Sequence, residues 1–331
     1  MPEGSPEKTN GGAGLLERVY LPFLLEAQNP DGGWGYRRGG QSAVEPTSMV
    51  LLALLGLREV RLPDSSSARL LDSTLPLTGA GVRWLRACQL PDGSWPSFAG
   101  QPCGCWVTAM AGLALYAHRD SQARVARGLQ WLSKSWPVEG RIWRRISLKL
   151  LRRGNVARQD ESLRGWNWTP GTASWVEPTS CALIAFRHIP EELHPRDAVR
   201  RRALAERMLY DRMCPGGGWN SGNPLVYGAA GVPRIGPTVW ALLALQDYRD
   251  RPENRLSLEW LEQAYAQIQG PGSLALAHLC LLLYNRPVPA LAPTLAALNS
   301  HNQFLGNTMV AAWAAVALSG RPRWLSREVR S

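Results

Sequence analysis

The chain has 331 residues, a formal net charge of +11 and 45% hydrophobic residues, so it can bury a sizeable core and is not a disordered chain. No window approaches 18 uninterrupted apolar residues, so no membrane-spanning helix is predicted. The 32 Gly and 25 Pro follow no G-X-Y period, which excludes a collagen-like chain. Tryptophan is unusually frequent, because 15 Trp stand beside 8 Tyr and 4 Phe.

The two ends of the chain differ in composition from its middle. Residues 1–14 are rich in Pro, Gly, Ser and Glu and lack an apolar run, which predicts a flexible tail and no signal peptide. Residues 320–331 are predicted to form a basic tail. Length alone suggests two domains, but we predict a single domain over residues 15–319 from the repeats described next. The 6 scattered cysteines are typical of reduced core thiols in a cytosolic protein.

A short turn motif recurs along the chain. The sequence QNPDGGW at Gln28–Trp34 returns 61 residues later as QLPDGSW at Gln89–Trp95, and shorter versions end at Trp166 and Trp219. Each Trp is followed by a threonine and then by a run of small and apolar residues. The threonines are Thr47, Thr108, Thr179 and Thr238. The spacing from Trp to Thr is 13 residues in three repeats and 19 in the fourth, which predicts a six-residue loop insertion there.

Each repeat is predicted to form a helix, a turn and a second helix. Amphipathic stretches precede the Trp turns, and Pro and Gly end them. The apolar runs after Thr predict buried inner helices. The predicted outer helices are Leu15–Gln28, Gly81–Gln89, Gln122–Ser135 and Asp197–Met213, and two more pairs without the Trp turn are Leu256–Gln269 with Ser273–Tyr284 and Ala290–Ser300 with Asn307–Ser319. Six hairpins with six apolar inner helices favour an all-α fold, a closed α/α toroid (α6/α6 barrel).

The repeat motif also resembles that of a known superfamily. The Gln-x-x-Asp-Gly-x-Trp pattern at Gln28–Trp34 and Gln89–Trp95 is similar to the repeat motif of squalene–hopene and oxidosqualene cyclases. These terpene cyclases share the α/α toroid with the protein prenyltransferase β-subunits, and the resemblance covers residues 15–319. It implies that Gln and Trp tie neighbouring helix pairs together. The chemistry agrees, because Gln can bond unpaired backbone groups at a helix end and Trp can cover that end.

The resemblance also indicates where an acid would lie. In the cyclases, an Asp-x-Asp-Asp motif followed by Thr supplies the central Asp that protonates an alkene or epoxide. This chain has no such motif but carries Val-Glu-Pro-Thr-Ser twice. Alignment on Thr places Glu45 and Glu177 at the central acid, with Pro46 and Pro178 replacing the next Asp. We therefore predict that one or both glutamates are general acids for an isoprenoid.

The alternative for Glu45 and Glu177 is a structural role. Proline suits the first position of a helix, which would make both glutamates N-cap residues. The helix dipole would then lower the carboxyl pKa. Burial in an apolar cavity would raise it, and an acid that works near neutral pH requires a raised value.

Several tryptophans are candidate substrate-binding residues. Trp106, Trp175 and Trp240 lie near predicted starts of inner helices, and Trp313 lies inside the last inner helix. In the cyclases, aromatic rings line the cavity and stabilise carbocations through the quadrupole that also attracts ammonium groups. The resemblance implies the same role here, and ordinary core packing is the alternative.

A metal site is not predicted. The prenyltransferase branch of the superfamily holds zinc with Asp, Cys and His, which makes zinc-dependent prenyltransferase-like activity a weaker alternative. Only Cys105 matches that pattern, because Cys103 occupies the Asp position, and His278 lies in another inner helix. A structural zinc site usually contains a Cys-x-x-Cys pair with a second pair of ligands, and the sequence has none. We therefore predict no metal and no cofactor.

A basic insertion at about residues 137–162 interrupts the third repeat. Seven basic and no acidic residues lie between positions 141 and 158, so this segment supplies most of the net charge. An apolar stripe flanked by arginines is typical of a helix that lies on a membrane surface. The candidate membrane contacts are Arg141, Trp143, Arg144, Arg145 and Lys149. A solvated loop is the alternative, and no nucleic-acid binding is predicted.

Two functions follow from these features. The first is an isoprenoid cyclase-like enzyme of triterpenoid metabolism that binds a long apolar substrate and protonates it. The second is a non-catalytic toroid that binds a lipid or a partner protein. The predicted location is the cytoplasm, with peripheral contact to the inner membrane surface. Triterpene cyclases contain two toroids and this chain has the length for one, so a second toroid chain or a second copy is a candidate partner.

Overall fold

A computed structural model describes residues 10–59, 65–140, 159–302 and 306–326 of the protein. Its helices alternate along the chain between an outer and an inner layer. The outer helices are α1 (Asn10–Leu15), α2 (Leu21–Glu26), α4 (Ser65–Cys88), α6 (Gln122–Lys134), α8 (Ala198–Asp211), α10 (Pro252–Tyr265) and α12 (Leu291–Asn302). The π-helix Leu16–Tyr20 joins α1 to α2, so these two form the single outer element of the first hairpin. The inner helices are α3 (Val44–Glu59), α5 (Val107–Ala117), α7 (Val176–His188), α9 (Ile235–Ala244), α11 (Pro271–Leu283) and α13 (Thr308–Ser319).

The inner helices form a closed ring. Each contacts the next inner helix along the chain, and α13 contacts α3 to complete the circle. An outer helix precedes each inner helix and turns back into it, so the inner helices run in the same direction. Their N-termini therefore lie together at one end of the ring, which we call the mouth. The predicted all-α fold, an α/α toroid of six helical hairpins, is confirmed for the described residues.

The two layers differ in how their side chains are buried. In α5 every residue from Val107 to Leu115 is buried, because the helix packs against neighbours on all sides. In α6 burial is confined to one stripe that includes Val125, Leu129 and Leu132, while the opposite face is in solvent. This difference follows from the sequence. Burial of the whole surface stabilises an apolar helix, whereas an amphipathic helix is stabilised by burial of its apolar face alone.

A pair of hydrogen bonds from each repeat tryptophan fastens an outer helix to an inner helix. The backbone N–H of the tryptophan donates to the threonine hydroxyl on the inner helix. The pairs are Trp34 with Thr47 (2.9 Å), Trp95 with Thr108 (2.9 Å), Trp166 with Thr179 (2.8 Å) and Trp219 with Thr238 (2.8 Å). We call each of these a Trp–Thr fastener. The constant spacing of 13 residues thus reflects one hydrogen bond repeated in three turns.

The indole ring of the same tryptophan holds the end of the outer helix. Its N–H donates to a carbonyl in the last turn of that helix, where carbonyls have no partner within the helix. The acceptors are the carbonyls of Leu24, Leu85, Leu132 and Leu209. All four indoles are essentially buried. Each tryptophan therefore satisfies polar groups of both layers while it contributes a large apolar surface to the core.

The fourth repeat keeps this geometry despite its longer spacing. Trp219 still donates to Thr238, 19 residues away. The extra residues form an antiparallel hairpin of β1 (Leu225–Val226) and β2 (Ala229–Ala230) that projects from the turn. The predicted six-residue insertion is confirmed.

The glutamine of the motif ties each turn to the following outer helix. Gln28 Nε2 donates to the carbonyls of Gly32 in its own turn and Leu77 in α4, each at 2.8 Å. Gln89 does the same in the second repeat, with Gly93 at 2.9 Å and Arg124 of α6 at 3.0 Å. The predicted bonding of glutamine to backbone groups is confirmed.

The third repeat lacks this glutamine and uses an arginine from the following outer helix. Arg201 of α8 donates to the carbonyls of Ser135 (2.9 Å) and Gly165 (2.7 Å). Its guanidinium lies between the rings of Trp136 and Trp166, 4.1 Å and 4.2 Å from their centroids. Burial lowers the pKa of Arg201 to about 9, so the group is still a cation at neutral pH. Cation–π contacts and carbonyls replace the carboxylate that a buried arginine usually needs.

Two helix boundaries differ from the sequence prediction. The second outer helix, predicted at Gly81–Gln89, begins at Ser65 and continues through Pro76. Packing against α3 outweighs the local cost of this proline inside the helix. Helix α1 begins at Asn10, inside the segment predicted to be a flexible tail.

The C-terminal segment also packs more closely than a tail. Trp324 and Leu325 are buried, and the carbonyl of Leu325 accepts a hydrogen bond of 3.0 Å from Gln246. Residues 320–326 therefore cover part of the toroid. Most of the basic insertion, with its candidate membrane contacts, lies outside the described residues. Among the helices that are described, none is both long enough and apolar enough to cross a membrane.

The Trp–Thr fastener predicts the effect of removing one hydroxyl. In the variant Thr108→Val, the buried N–H of Trp95 loses its acceptor, so we expect the free energy of unfolding to fall by about 1–3 kcal/mol. Urea unfolding monitored by circular dichroism measures the change. Thr169→Val, at an exposed threonine, is the matched control and should change stability by less than about 0.5 kcal/mol. Equal stability of the two variants would contradict the proposed fastener.

Candidate functional site

The mouth is built by the same turns that fasten the layers. In each turn, the carbonyl two residues after the tryptophan accepts the N–H of a residue at the start of the preceding inner helix. These bonds join Val44 to Ser97 (3.0 Å), Trp106 to Trp168 (3.2 Å), Val176 to Ser221 (3.2 Å) and Thr308 to Tyr36 (2.9 Å). They satisfy N–H groups that a helix start leaves without partners. The last bond joins the final inner helix to the first turn and so closes the mouth.

Two sets of residues therefore meet at the mouth. One set comes from the position two residues before the fastener threonine, in or next to the first turn of an inner helix. Its members are Glu45, Trp106, Glu177 and Gly236. The other set comes from the position two residues after the repeat tryptophan. Its members are Tyr36, Ser97, Trp168 and Ser221. The sequence analysis missed the second set, although the constant offset of two residues from Trp would have identified it.

Glu45 is a largely buried carboxyl group in the first turn of α3. The hydroxyl of Tyr36 donates to Glu45 Oε2, and the ring of Tyr36 packs edge-on against Phe98 at 6.5 Å. Among the described residues, no basic side chain forms an ion pair with Glu45. Burial raises the pKa of Glu45 more than the hydrogen bond from Tyr36 lowers it. The protonated form of this carboxyl is thus favoured relative to a solvated glutamate.

Cys105 extends the surroundings of Glu45. Its thiol lies 3.3 Å from the hydroxyl of Ser97 and is buried. Burial raises the pKa of Cys105, and the negative charge of Glu45 raises it further. Cys105 is therefore a neutral thiol beside the carboxyl group.

Glu177 occupies the equivalent position on α7 but has different neighbours. Ser221 Oγ donates to Glu177 Oε1 at 3.4 Å, whereas Oε2 is buried and has no hydrogen-bond partner in the described structure. Burial raises the pKa of Glu177, while its own backbone N–H, Ser221 and the charge of Arg234 lower it. Burial outweighs these groups, so the pKa of Glu177 lies above its ordinary value.

Neither glutamate is the N-cap that the structural alternative predicts. Helix α7 begins at Val176 with Trp175 as the N-cap, and α3 begins at Val44. The proline therefore lies at the third helical position, and each glutamate lies inside the first turn. Both helices begin two residues earlier than the proline predicts, because the N–H groups of Val44 and Val176 bond carbonyls of neighbouring turns.

The interior of the ring lies close to both carboxyl groups. Cys181 is on α7, one turn below Glu177, and its side chain is buried. Its thiol pKa is raised by burial and by the charges of both Glu45 and Glu177. Helices α3 and α7 lie on either side of α5 in the ring, and each carries its glutamate in the first helical turn. Glu45 and Glu177 therefore lie at the same end of the ring, at the mouth.

The four candidate tryptophans do not form a single cluster. Trp106 packs edge-on against Trp168 at 4.8 Å, at the mouth. Trp240 packs against Trp313 at 5.4 Å, although their helices are separated by α11, so these rings meet across the interior. Trp175 instead pairs its backbone with Trp166. The structure thus places two candidates in the interior, one at the mouth and one in a turn, and their substrate contacts stay predictions.

A surface cavity of about 410 Å³ opens beside the mouth, at the starts of α9 and α11. Its lining includes the apolar side chains of Ile235, Trp260 and Ile268 together with Arg234. Arg234 is exposed and forms no ion pair among the described residues. The cavity therefore combines apolar walls with one available cation.

The residues considered for zinc are separated from one another. Cys105 bonds Ser97, and His278 Nδ1 lies 3.1 Å from the hydroxyl of Tyr265 on the neighbouring outer helix. Cys103 is exposed. The described part of the chain brings no three His, Cys, Asp or Glu side chains together as metal ligands.

The closed double ring defines the fold, an α/α toroid. The structure is similar to type II terpene cyclase MstE from Scytonema in complex with merosterolic acid A, with 16% identity, a TM-score of 0.55 and coverage of 94% of this chain and 96% of that one. It is also similar to a protein from Actinoplanes, with 15% identity, a TM-score of 0.58 and coverage of 93% and 98%. These similarities confirm the terpene cyclase-like fold.

Sequence comparison gives one partial match to a curated enzyme. Lanosterol synthase from Mus musculus is 38% identical over 81 residues, which is 22% of this chain and 10% of the synthase. The chain thus matches only a tenth of that relative's length. No protein-family model matches the sequence.

The contact between Tyr36 and Glu45 predicts the direction of a pKa change. Tyr36→Phe removes the hydroxyl that stabilises the Glu45 carboxylate, so we expect the pKa of Glu45 to rise. Carbon-13 NMR of labelled glutamate measures this value, with Glu45→Gln used to assign the signal. Tyr248→Phe, which removes a hydroxyl bonded to Glu206 of the outer helix α8, is the control. A lower pKa of Glu45 in Tyr36→Phe would show that the hydroxyl does not stabilise the anion.

Proposed function

We propose that the protein is a terpene cyclase-like enzyme that binds a long isoprenoid in the toroid and protonates it from Glu45. The observation that carries the proposal is a largely buried carboxyl group at the mouth of the ring, bonded to Tyr36 and without a basic partner among the described residues. A carboxyl group in such surroundings retains its proton at a higher pH than a solvated one. General acid catalysis requires this property.

The proposed reaction starts when the Glu45 carboxyl donates its proton to an alkene carbon of the bound isoprenoid. The electron pair of the double bond forms the new C–H bond and leaves a carbocation. Indole rings stabilise such a cation through their negative faces, and Trp240 and Trp313 meet in the interior. A buried interior also keeps water away from the cation, which would otherwise capture it.

The proposed substrate class is an isoprenoid with a polar or anionic end. One similar structure, type II terpene cyclase MstE, is in complex with its substrate geranylgeranyl dihydroxybenzoate, with 16% identity and a TM-score of 0.55. In this chain, the cavity beside the mouth offers Arg234 and apolar walls to the end of such a molecule. The polyprenyl part would then extend past Glu45 into the ring.

Membrane contact is a further part of the proposal. Residues 141–153 keep the basic, amphipathic pattern of a membrane-surface segment. At the mouth, the hairpin of β1 and β2 carries Tyr227, 81% exposed, and is followed by Val232, 76% exposed. No charged residue lies between Ser221 and Pro233. Such a surface fits a bilayer that holds an apolar substrate.

A non-catalytic toroid that binds an isoprenoid is the second candidate function. It is favoured by the absence of an Asp-x-Asp-Asp sequence, because the carboxylate that would support the acid is replaced by proline. In both candidate functions the protein binds an isoprenoid, and only in the first does it convert the isoprenoid to a product.

Substitution of Glu45 tests the proposed chemistry. Glu45→Gln retains the size of the side chain but has no acidic proton, so we expect turnover of geranylgeranyl dihydroxybenzoate and related polyprenes to fall by about 10²–10⁴-fold. Mass spectrometry measures substrate loss and product formation. Glu259→Gln, at an exposed glutamate of α10, is the control and should retain full turnover. Full activity of Glu45→Gln would show that Glu45 is not the general acid. Binding without turnover by the natural protein would favour the non-catalytic toroid.

Charge reversal tests the proposed membrane contact. We expect the triple variant Arg144→Glu, Arg145→Glu, Lys149→Glu to lose flotation with vesicles of anionic phospholipid, because each basic residue near such a surface contributes about 1 kcal/mol. Arg200→Glu, Arg202→Glu, Arg207→Glu on the outer helix α8 is the matched charge control. Flotation that is equal in both triple variants would show that the insertion is not the anchor.

A further inference from the structure

We infer that Glu177 is a second catalytic residue, the base that removes the proton at the end of cyclisation. This inference rests on the proposed function, since it assigns the final step of the reaction that Glu45 starts. It depends on three features of the mouth: where Glu177 lies relative to Glu45, which groups surround it, and what its second oxygen contacts.

The first feature is the position of the two carboxyl groups in the ring. Glu45 and Glu177 occupy the same position in the first turns of α3 and α7, two residues before the fastener threonine. Helix α5 lies between these helices, and the equivalent position beside it holds Trp106. Both carboxylates also act on the buried thiol of Cys181. Acid and base thus lie at the mouth on either side of α5, with the Trp106 position between them.

The second feature is the contrast between their surroundings. The hydrogen bond that Glu45 receives comes from a neutral tyrosine, and no basic side chain pairs with it in the described structure. Glu177 lies near Arg234, accepts from Ser221 and also receives its own backbone N–H. These groups oppose the burial that raises the pKa of Glu177 and so stabilise its anion in part. Pairs of carboxyl groups whose surroundings differ in this way divide the roles of acid and base in several enzymes.

The third feature is the unused oxygen of Glu177. Oε1 accepts from Ser221, which fixes the orientation of the carboxylate. Oε2 is buried and has no partner in the described structure. A buried carboxylate oxygen without a donor is unfavourable in the free protein, and it is suitably placed to accept a proton from a bound molecule.

The step balances without any further reactant. The final carbocation carries a C–H bond on the carbon next to the cationic centre. Glu177 takes this proton, and the electron pair of the C–H bond becomes a new C=C bond. Glu45 has lost one proton and Glu177 has gained one, so the product is an isomer of the substrate. Exchange with solvent restores both groups, and Tyr36 beside Glu45 is 38% exposed and opens a route to water.

The test compares how the reaction ends in different variants of the full chain. With geranylgeranyl dihydroxybenzoate in D2O, we expect the natural protein to form an alkene product that gains one deuteron from Glu45. Glu177→Gln should still consume the substrate, but water should capture the cation. The ratio of alkene to hydrated product should therefore fall by about 100-fold, as expected for loss of a general base. Glu177→Asp should restore part of the alkene, and Ser221→Ala should give an intermediate ratio.

Other outcomes separate this inference from the proposed function. An unchanged alkene ratio in a folded, active Glu177→Gln variant would overturn the role of Glu177 and leave the Glu45 acid intact. If the natural protein turns over no polyprene, the proposed cyclase function is wrong, and the assignment of Glu177 as its base is wrong with it. Carbon-13 NMR of the free protein gives a readout without turnover. We expect Ser221→Ala and Arg234→Gln to raise the pKa of Glu177, because both side chains lower it in the natural protein, and an unchanged pKa in both variants would overturn the assignment.

Discussion

The hydrogen bond between a repeat tryptophan and its threonine is the interaction on which the rest of the structure depends. One tryptophan residue serves three purposes. Its backbone N–H bonds the inner helix, its indole N–H bonds the end of the outer helix, and its ring fills the space between the two helices. Each fastener sets the distance and direction of one hairpin. Repetition of the same hairpin then closes the ring, in which α13 meets α3.

The candidate site is a consequence of this fastening. Because the tryptophan is fixed, the carbonyl two residues later lies against the start of the preceding inner helix, and the adjacent side chain is carried to the mouth. The turn that stabilises the fold therefore also delivers Tyr36 to Glu45 and Ser221 to Glu177. Structure and chemistry are coupled through the same few residues, so a variant that weakens a fastener will also displace a side chain at the mouth.

Glu45 and Glu177 show that equivalent positions in the fold can place a carboxyl group in different chemical surroundings. Glu45 and Glu177 have the same local sequence and the same place in a helix, although only Glu177 also receives its own backbone N–H. Desolvation raises the pKa of both groups. The difference comes from the neighbouring turns, which supply a neutral phenol in one case and a serine with an arginine nearby in the other. The two copies of the Val-Glu-Pro-Thr-Ser motif can thus have different chemical roles.

The sequence by itself determined the number of hairpins, the all-α toroid, the turn positions and the candidates Glu45 and Glu177. These features depend on contacts within one repeat, such as the pair Trp95 and Thr108, whose spacing is visible along the chain. Only the tertiary structure decided that Tyr36 and Ser221 belong to the site, that Arg201 replaces a missing glutamine, and that Trp240 meets Trp313 while Trp175 does not. It also decided that both carboxyl groups are buried deeply enough for their pKa values to rise. These features depend on which helices become neighbours in the ring, and spacing within a repeat carries no information about that.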